Sequence, residues 1–181
     1  MKIILASKSP RRKELLSLIT DDFTVDSAEV DETLPSGIEP DKAVEYLSKI
    51  KAQPFRKSGK IVIGADTVVA IDGKILGKPK NEKEAFLMLK NLSGKEHSVF
   101  TGVTVIKNDK EVTFGVQTKV KFFELDDREI EDYISSGEPF DKAGAYGIQG
   151  KGSLFVEKID GDYFNVVGLP ISRLARQLKS I

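Results

Sequence analysis

Residues 60–76 read KIVIGADTVVAIDGKIL, and this stretch decides between two fold classes. The run 60–71 is rich in β-branched residues and reads as a strand. Asp72-Gly73 is the dipeptide favoured in a type I′ turn, and Lys74-Ile75-Leu76 supplies the returning strand. A wholly parallel sheet, whose strands are joined by crossovers, has no place for such a hairpin. The same run carries one carboxylate, Asp66, among β-branched neighbours, where an unpaired charge is expensive. Buried aspartates either satisfy structural hydrogen bonds or serve as metal ligands and bases. Thr67 beside it adds a hydroxyl, and Gly64 fits the close approach of a ligand or another chain segment.

Outward from this stretch, strands and helices alternate. Residues 2–6 read as a short buried strand, 10–19 as a helix, 23–25 as a strand and 27–40 as a polar loop with Pro and Gly. Val44, Leu47 and Ile50 fall near helical spacing within a helix over 41–52. Asn81, with Glu84 three residues on, starts a helix that runs to about 92. Two β-rich runs, 97–107 and 111–124, meet at a turn over 108–110, and a helix covers 127–135. Residues 138–153 form a glycine-rich loop. Segments 154–158 and 163–167 flank Asp160-Gly161 as another hairpin, and a helix over 170–178 closes the chain. Hairpins among alternating elements predict an α/β fold, a mixed β-sheet with flanking helices. With no repeat and no linker, residues 1–181 are expected to form a single domain.

The 181 residues hold 28 Lys+Arg against 28 Asp+Glu, so no broad positive field favours polymeric nucleic acid or a membrane surface. Any anion site has to be local. The absence of cysteine excludes disulfides, thiolate nucleophiles and cysteine-held metals. The sole histidine, His97, excludes HExxH zinc sites and reads as a packing residue at the start of a strand. No apolar run approaches the ~18 residues of a membrane span. Residues 3–6 are too short for the apolar region of a signal peptide, so the expected location is cytoplasmic.

Upstream, residues 6–16, ASKSPRRKELL, place Arg11, Arg12 and Lys13 in the first turn of a helix capped by Ser9 and begun by Pro10. That end of a helix is already positive, and cations there cost roughly 0.3–1 kcal/mol each. Two readings stand. In one, the strand–turn–helix is an anion site in which Ser7, Ser9 and the three cations hold a polyphosphate. In the other, it is a solvated basic helix start. Asp31-Glu32 suits Mg²⁺ shared with substrate phosphates, or is a solvated loop pair. Lys51 lies late in a helix, where the dipole welcomes it. Lys78 sits on a stiff turn between Gly77 and Pro79, and neither lysine belongs to a GxxxxGKS/T phosphate loop. In AGAYGIQGKG, residues 143–152, the glycines let backbone approach a ligand, and Gln149 offers an amide for a base edge. Tyr146 and Ile148 are candidate anchors that argue against a flexible loop. Jointly these residues suggest a metal-assisted enzyme for a phosphorylated substrate.

ASKSPRRKELL, the VDE loop (30–32), GADTVV (64–69), LGKP (76–79), EAFLMLKNLSGKEHSVFTGV (84–103), DKAGAYGIQGKG (141–152) and YFNVVGLP (163–170) occur in this order. In this the chain resembles the Maf family of nucleotide pyrophosphatases over essentially its whole length. AGAYGIQG with GADTVV is similar to the subgroup acting on dTTP and UTP rather than the sister subgroup acting on 7-methyl-GTP. Departures are Ser48-Lys49-Ile50 before Lys51, and Gln117 where relatives often carry an acid.

The resemblance implies an elongated, two-lobed α/β fold with a central cleft, often dimeric, so a homodimer is an expected assembly. It implies hydrolysis of dTTP and UTP, and of modified pyrimidine nucleotides, to monophosphate and pyrophosphate with a divalent metal, Mg²⁺ or Mn²⁺. Asp66 matches the catalytic proton acceptor. Arg11, Thr67 and Gln149 match positions linked to base selectivity. Ser7, Arg12, Lys51 and Lys78 match residues lining the phosphate cleft, and Glu32 matches a carboxylate that would share the metal with Asp66. Roles in cell-division arrest and in keeping modified nucleotides out of polymers go with the family. The competing readings are the 7-methyl-GTP activity and a nucleotide-binding division regulator with little turnover. If Arg12 only awaits phosphate, truncating it leaves the unliganded protein no less stable.

Overall fold

In the computed structural model, which describes residues 2–181, the stretch 60–76 is a long strand and its antiparallel return. The strands are β1 (Ile3–Ala6), β2 (Phe23–Asp26), β3 (Ile61–Ile71), β4 (Lys74–Leu76), β5 (Glu96–Lys107), β6 (Lys110–Phe122) and β7 (Val156–Asp160). The helices are α1 (Pro10–Ser17), α2 (Pro40–Ala52), α3 (Glu82–Leu92), α4 (Asp127–Ser135), α5 (Tyr163–Val167) and α6 (Ile171–Ser180). The seven strands form one mixed sheet in the order β2-β1-β3-β5-β6-β7, with β4 also against β3. β1 runs parallel to β2 and β3, and the other pairings are antiparallel.

β3 organises the molecule. On one edge it pairs with β5 from Val62 to Ala70. On the other, β1 covers residues 61–64 and β4 covers 69–71, which leaves 65–68 with no strand alongside among the described residues. The functional consequence is a notch in the sheet edge at Asp66-Thr67.

Two hydrophobic cores lie on either side of this notch. Val69 and Ile71 of β3, Val99 of β5 and Phe122 of β6 pack with Leu89 of α3 and Ile130 of α4. Ile61, Ile63 and Ala65 of β3 and Val103 of β5 pack with Leu16 of α1 and Leu174 of α6. Each fully buried side chain of this size contributes about 1.5–3 kcal/mol. The continuous strands β3, β5 and β6 tie the two lobes together, and the cleft opens between them.

α2 crosses β3 and β5 at backbone distance because two glycines let it. A Cβ on Gly64 would strike the Ser48 carbonyl oxygen, and one on Gly102 would strike the Val44 carbonyl. The close neighbour anticipated at Gly64 is therefore a chain segment. Its last turn carries Lys51 to the sheet.

Helix starts follow their caps. The Ser9 hydroxyl accepts from the Arg12 amide at 3.4 Å, Asn81 accepts from Glu84 N–H at 2.9 Å, and Asp126 forms a capping box with Glu129. The expected second hairpin at Asp160-Gly161 is corrected, because residues 163–167 form α5 rather than a strand. Asp162 caps that helix by accepting from Phe164 N–H at 2.8 Å. Thr118 holds both backbone groups of Asp162, at 3.0 Å each, and so turns the chain off the sheet. Residues 138–153 are also more ordered than a loop, containing short 3-10 turns at Glu138–Asp141, Ala143–Ala145 and the start of Gly150–Phe155.

Candidate active site

Asp66 and Thr67 are the two residues of β3 that are not fully buried. Consecutive strand side chains point to opposite faces. Asp66 meets Lys51 on the α2 face, and Thr67 meets Arg12 on the other. Because the strand edge is open at this point, both reach one cleft of about 690 Å³.

The nine residues to which the resemblance gives a role all line that cleft. Ser7, Arg11 and Arg12 come from the β1–α1 turn and the first turn of α1. Glu32 comes from the β2–α2 loop, Lys51 from α2, and Lys78 from the segment after β4. Gln149 comes from the glycine-rich segment, with Asp66 and Thr67 between them all. Lys13 is exposed and does not line it.

The Lys51 ammonium is in direct contact with Asp66 and lies 3.1 Å from Glu32. Lys51 and Asp66 are 19% and 14% exposed, so this pair is shielded from solvent, whereas Glu32 at 54% is not. Among the described residues no group of three or more His, Cys, Asp or Glu converges. Two carboxylates meeting on one cation are nonetheless a donor set that suits Mg²⁺, which completes its shell with water and substrate phosphates.

The cations of α1 have separate fates, and this resolves their position at the positive end of a helix. Arg12 Nε donates to the Gly168 carbonyl at 2.9 Å, Nη1 to Ser7 Oγ at 3.3 Å and Nη2 to Thr67 Oγ1 at 3.0 Å. Burial pulls its pKa below the ordinary value, opposed by the nearby Asp66 carboxylate. Two of its five N–H groups remain for a substrate. Arg11 instead reaches across the cleft to Asp141 at 3.2 Å. Burial pushes the Asp141 carboxyl up, but hydrogen bonds from Lys142 and Arg11 hold it below its usual range.

The glycine-rich segment is pinned from both sides. Tyr146 is buried in one core and Ile148 in the other, so the backbone between them bridges the lobes and delivers Gln149 to the cleft. Gly144 N–H donates to Gly77 O at 3.0 Å, which latches the Lys78 turn to the same segment. Ala145, at φ +64°, holds a left-handed conformation that costs a non-glycine residue energy. Behind Tyr146, its hydroxyl lies 2.7 Å from His97 Nε2. Burial lowers His97 to about 4, so the ring is neutral at pH 7.

The cleft is also lined by Asp141, Lys142, Val69, Val99 and Val166, none of which is a site candidate from sequence. Asp141-Lys142 opens the DKAG motif and was visible as such. In the sequence the valines are ordinary strand and core residues, and only packing brings them to a cleft they share with Arg12 and Lys51.

Comparison with known proteins identifies the family. A family model described as Maf-like protein matches residues 2–181. A protein of Bacillus pumilus (strain SAFR-032) named dTTP/UTP pyrophosphatase is 52% identical over 181 residues, covering 99% of this chain and 96% of the relative. One of Bacillus cereus (strain AH187), with the same name, is 56% identical over 180 residues, covering 98% and 94%. Among solved structures, a HAM1 protein from Coxiella burnetii aligns over 100% of both chains with a TM-score of 0.55 and 12% identity. The Staphylococcus aureus Ham1 protein aligns over 67% of this chain and 72% of its own, with a TM-score of 0.51 and 16% identity. At those identities the structural likeness concerns the fold alone.

Proposed function

We propose the activity from one premise: this chain belongs to the Maf family. It is a nucleoside triphosphate pyrophosphatase, a hydrolase that cleaves dTTP and UTP to the monophosphate and pyrophosphate. The observation that carries the reading is the Asp66–Lys51 pair in the β3 notch, an acid and a cation in a cleft lined by further cations and by valines.

In the reaction, water attacks the α-phosphorus and the bond to the bridging oxygen breaks. Asp66 orients the water and takes its proton. Arg12, Lys51 and Lys78 stabilise the negative charge that gathers on the departing pyrophosphate, since positioning and electrostatics supply most of phosphoryl-transfer catalysis. Lys51 serves Asp66 and Glu32 before substrate arrives and gains a third anion when it does. Arg11, Thr67 and Gln149 face the base. Glu32 and Asp66 would hold Mg²⁺ or Mn²⁺, which when bound neutralises phosphate charge and polarises the phosphorus. The proposal includes a cytoplasmic location and a homodimer; no helix among the described residues is long and apolar enough to cross a membrane.

Pyrophosphate release from dTTP, UTP, CTP and 7-methyl-GTP, competed in one assay, tests the reading. Preference for dTTP and UTP supports it, preference for 7-methyl-GTP assigns the sister activity, and tight binding of dTTP without turnover assigns a regulator.

A further inference from the structure

Thr67 ends a chain of hydrogen bonds whose direction is fixed from the buried end. Asn165 is fully buried, and its side-chain amide donates to Val99 O at 3.0 Å and to Thr118 Oγ1 at 2.9 Å, which immobilises α5 against the sheet. The Asn165 main-chain carbonyl accepts from Thr101 Oγ1 at 2.9 Å. A carbonyl has no proton to give, so the one Thr101 proton points at Asn165. Thr101 is fully buried and lies opposite Thr67 in the β3–β5 register, with the two hydroxyl oxygens 2.8 Å apart. Having spent its proton, Thr101 accepts, and Thr67 donates.

The second neighbour of Thr67 points the same way. Arg12 Nη2 donates to Thr67 Oγ1 at 3.0 Å, and a guanidinium only donates. Thr67 therefore gives its proton to Thr101 and one lone pair to Arg12, and keeps one lone pair. Thr67 is partly exposed and lines the cleft, so that lone pair is the one left for a ligand. Reversing the chain would leave the buried Asn165 carbonyl unpaired.

We propose that Thr101, seated on the Asn165 carbonyl, is a positioning residue that makes Thr67 an obligate acceptor, so that this end of the cleft selects a pyrimidine base presenting an imide N3–H. Thymine and uracil carry that donor, and cytosine presents a bare N3 acceptor in its place. The surroundings suit a base edge, because Val69, two residues along the same strand face as Thr67, and Val99, its partner in the β3–β5 register, line the cleft. The inference rests on the dTTP/UTP reading above and supplies a physical origin for its selectivity.

The test compares kcat/KM for dTTP, N3-methyl-dTTP and dCTP in the wild type and in Thr101→Val and Thr101→Ser. In the wild type, N3-methyl-dTTP is used roughly 10-fold or more less well than dTTP, because a site built around a donor rejects an analogue lacking it. Thr101→Val frees the Thr67 proton, so the dTTP:dCTP ratio falls roughly 5-fold or more, whereas Thr101→Ser keeps the ratio within about twofold of wild type. Equal use of dTTP and its N3-methyl analogue by the wild type overturns the acceptor assignment without needing any variant. A Thr101→Val enzyme that loses activity on dTTP and dCTP in equal proportion also overturns it, since that is the mark of a merely structural residue. A wild type releasing no pyrophosphate from dTTP or UTP would overturn the activity reading itself, a separate result.

Discussion

The ammonium of Lys51 and the carboxylate of Asp66 are in direct contact across the notch in β3, where the sheet edge is uncovered between β1 and β4. A helix residue thus fixes the one strand carboxylate that faces the cleft from that side. The contact depends on α2 lying on the sheet at glycine distance.

Asp66→Asn keeps an oxygen for Lys51 and removes the proton acceptor. The expected loss in pyrophosphate release from dTTP is ~100-fold or more, the scale of general-base catalysis. Thermal unfolding of the purified variant stays close to wild type. A wild-type turnover rate in this variant would remove Asp66 from the base role.

Arg12 has structural partners as well as a proposed phosphate. Its bonds to Gly168 O and Thr67 Oγ1 exist without substrate, so the expectation of an unchanged unliganded protein gives way. Arg12→Ala strands those acceptors and costs roughly 1–3 kcal/mol in the unliganded state, besides weakening substrate use. Denaturant unfolding without nucleotide checks this, and an unchanged midpoint would restore the simpler view of a side chain that only awaits phosphate.

His97 makes stability depend on acid. Burial lowers its pKa from 6.5 to about 4, so the unfolded chain binds the proton first. The stabilisation is complete above pH 6.5 and is lost as the pH falls from there toward 4, amounting to about 3 kcal/mol at most. His97→Phe removes this component, so its unfolding free energy declines less steeply than wild type between pH 6.5 and 4. Urea titrations of both proteins at several pH values in that window measure the difference, and parallel curves would count against a neutral buried ring.

Gly64→Ala drives a methyl group into the Ser48 carbonyl oxygen and the Ala52 side chain of α2. Overpacking of this kind costs about 1–3 kcal/mol. Displacing α2 also draws Lys51 from Asp66, so activity falls with stability. Gly77→Ala, where an added Cβ meets nothing within 4 Å, is the control and leaves the melting temperature nearly unchanged. Equal melting temperatures for the two variants would mean that α2 is not seated through Gly64.

Much of this was legible in local sequence because local rules set it. Asp72-Gly73 made the hairpin and excluded a parallel sheet, Asn81 and Ser9 capped their helices, and Asp66 stood out as one charge in an apolar strand. The motifs in their order also named the family, since each is long enough to be specific. What failed was local evidence that tertiary contacts outvote: residues 163–167 look like a strand, but the Thr118 hydroxyl holds both backbone groups of Asp162 and leaves the sheet no continuation. Which partner each cation takes, Gly168 for Arg12 and Asp141 for Arg11, was equally invisible. Those partners lie 156 and 130 residues away along the chain, and only the closing of two lobes around β3 brings them within reach. Sequence determined the elements and the kinds of chemistry present; tertiary structure alone decided the direction of each proton and the acceptor for each charge, because hydrogen bonds and ion pairs are set by distances of a few ångströms that no linear spacing encodes.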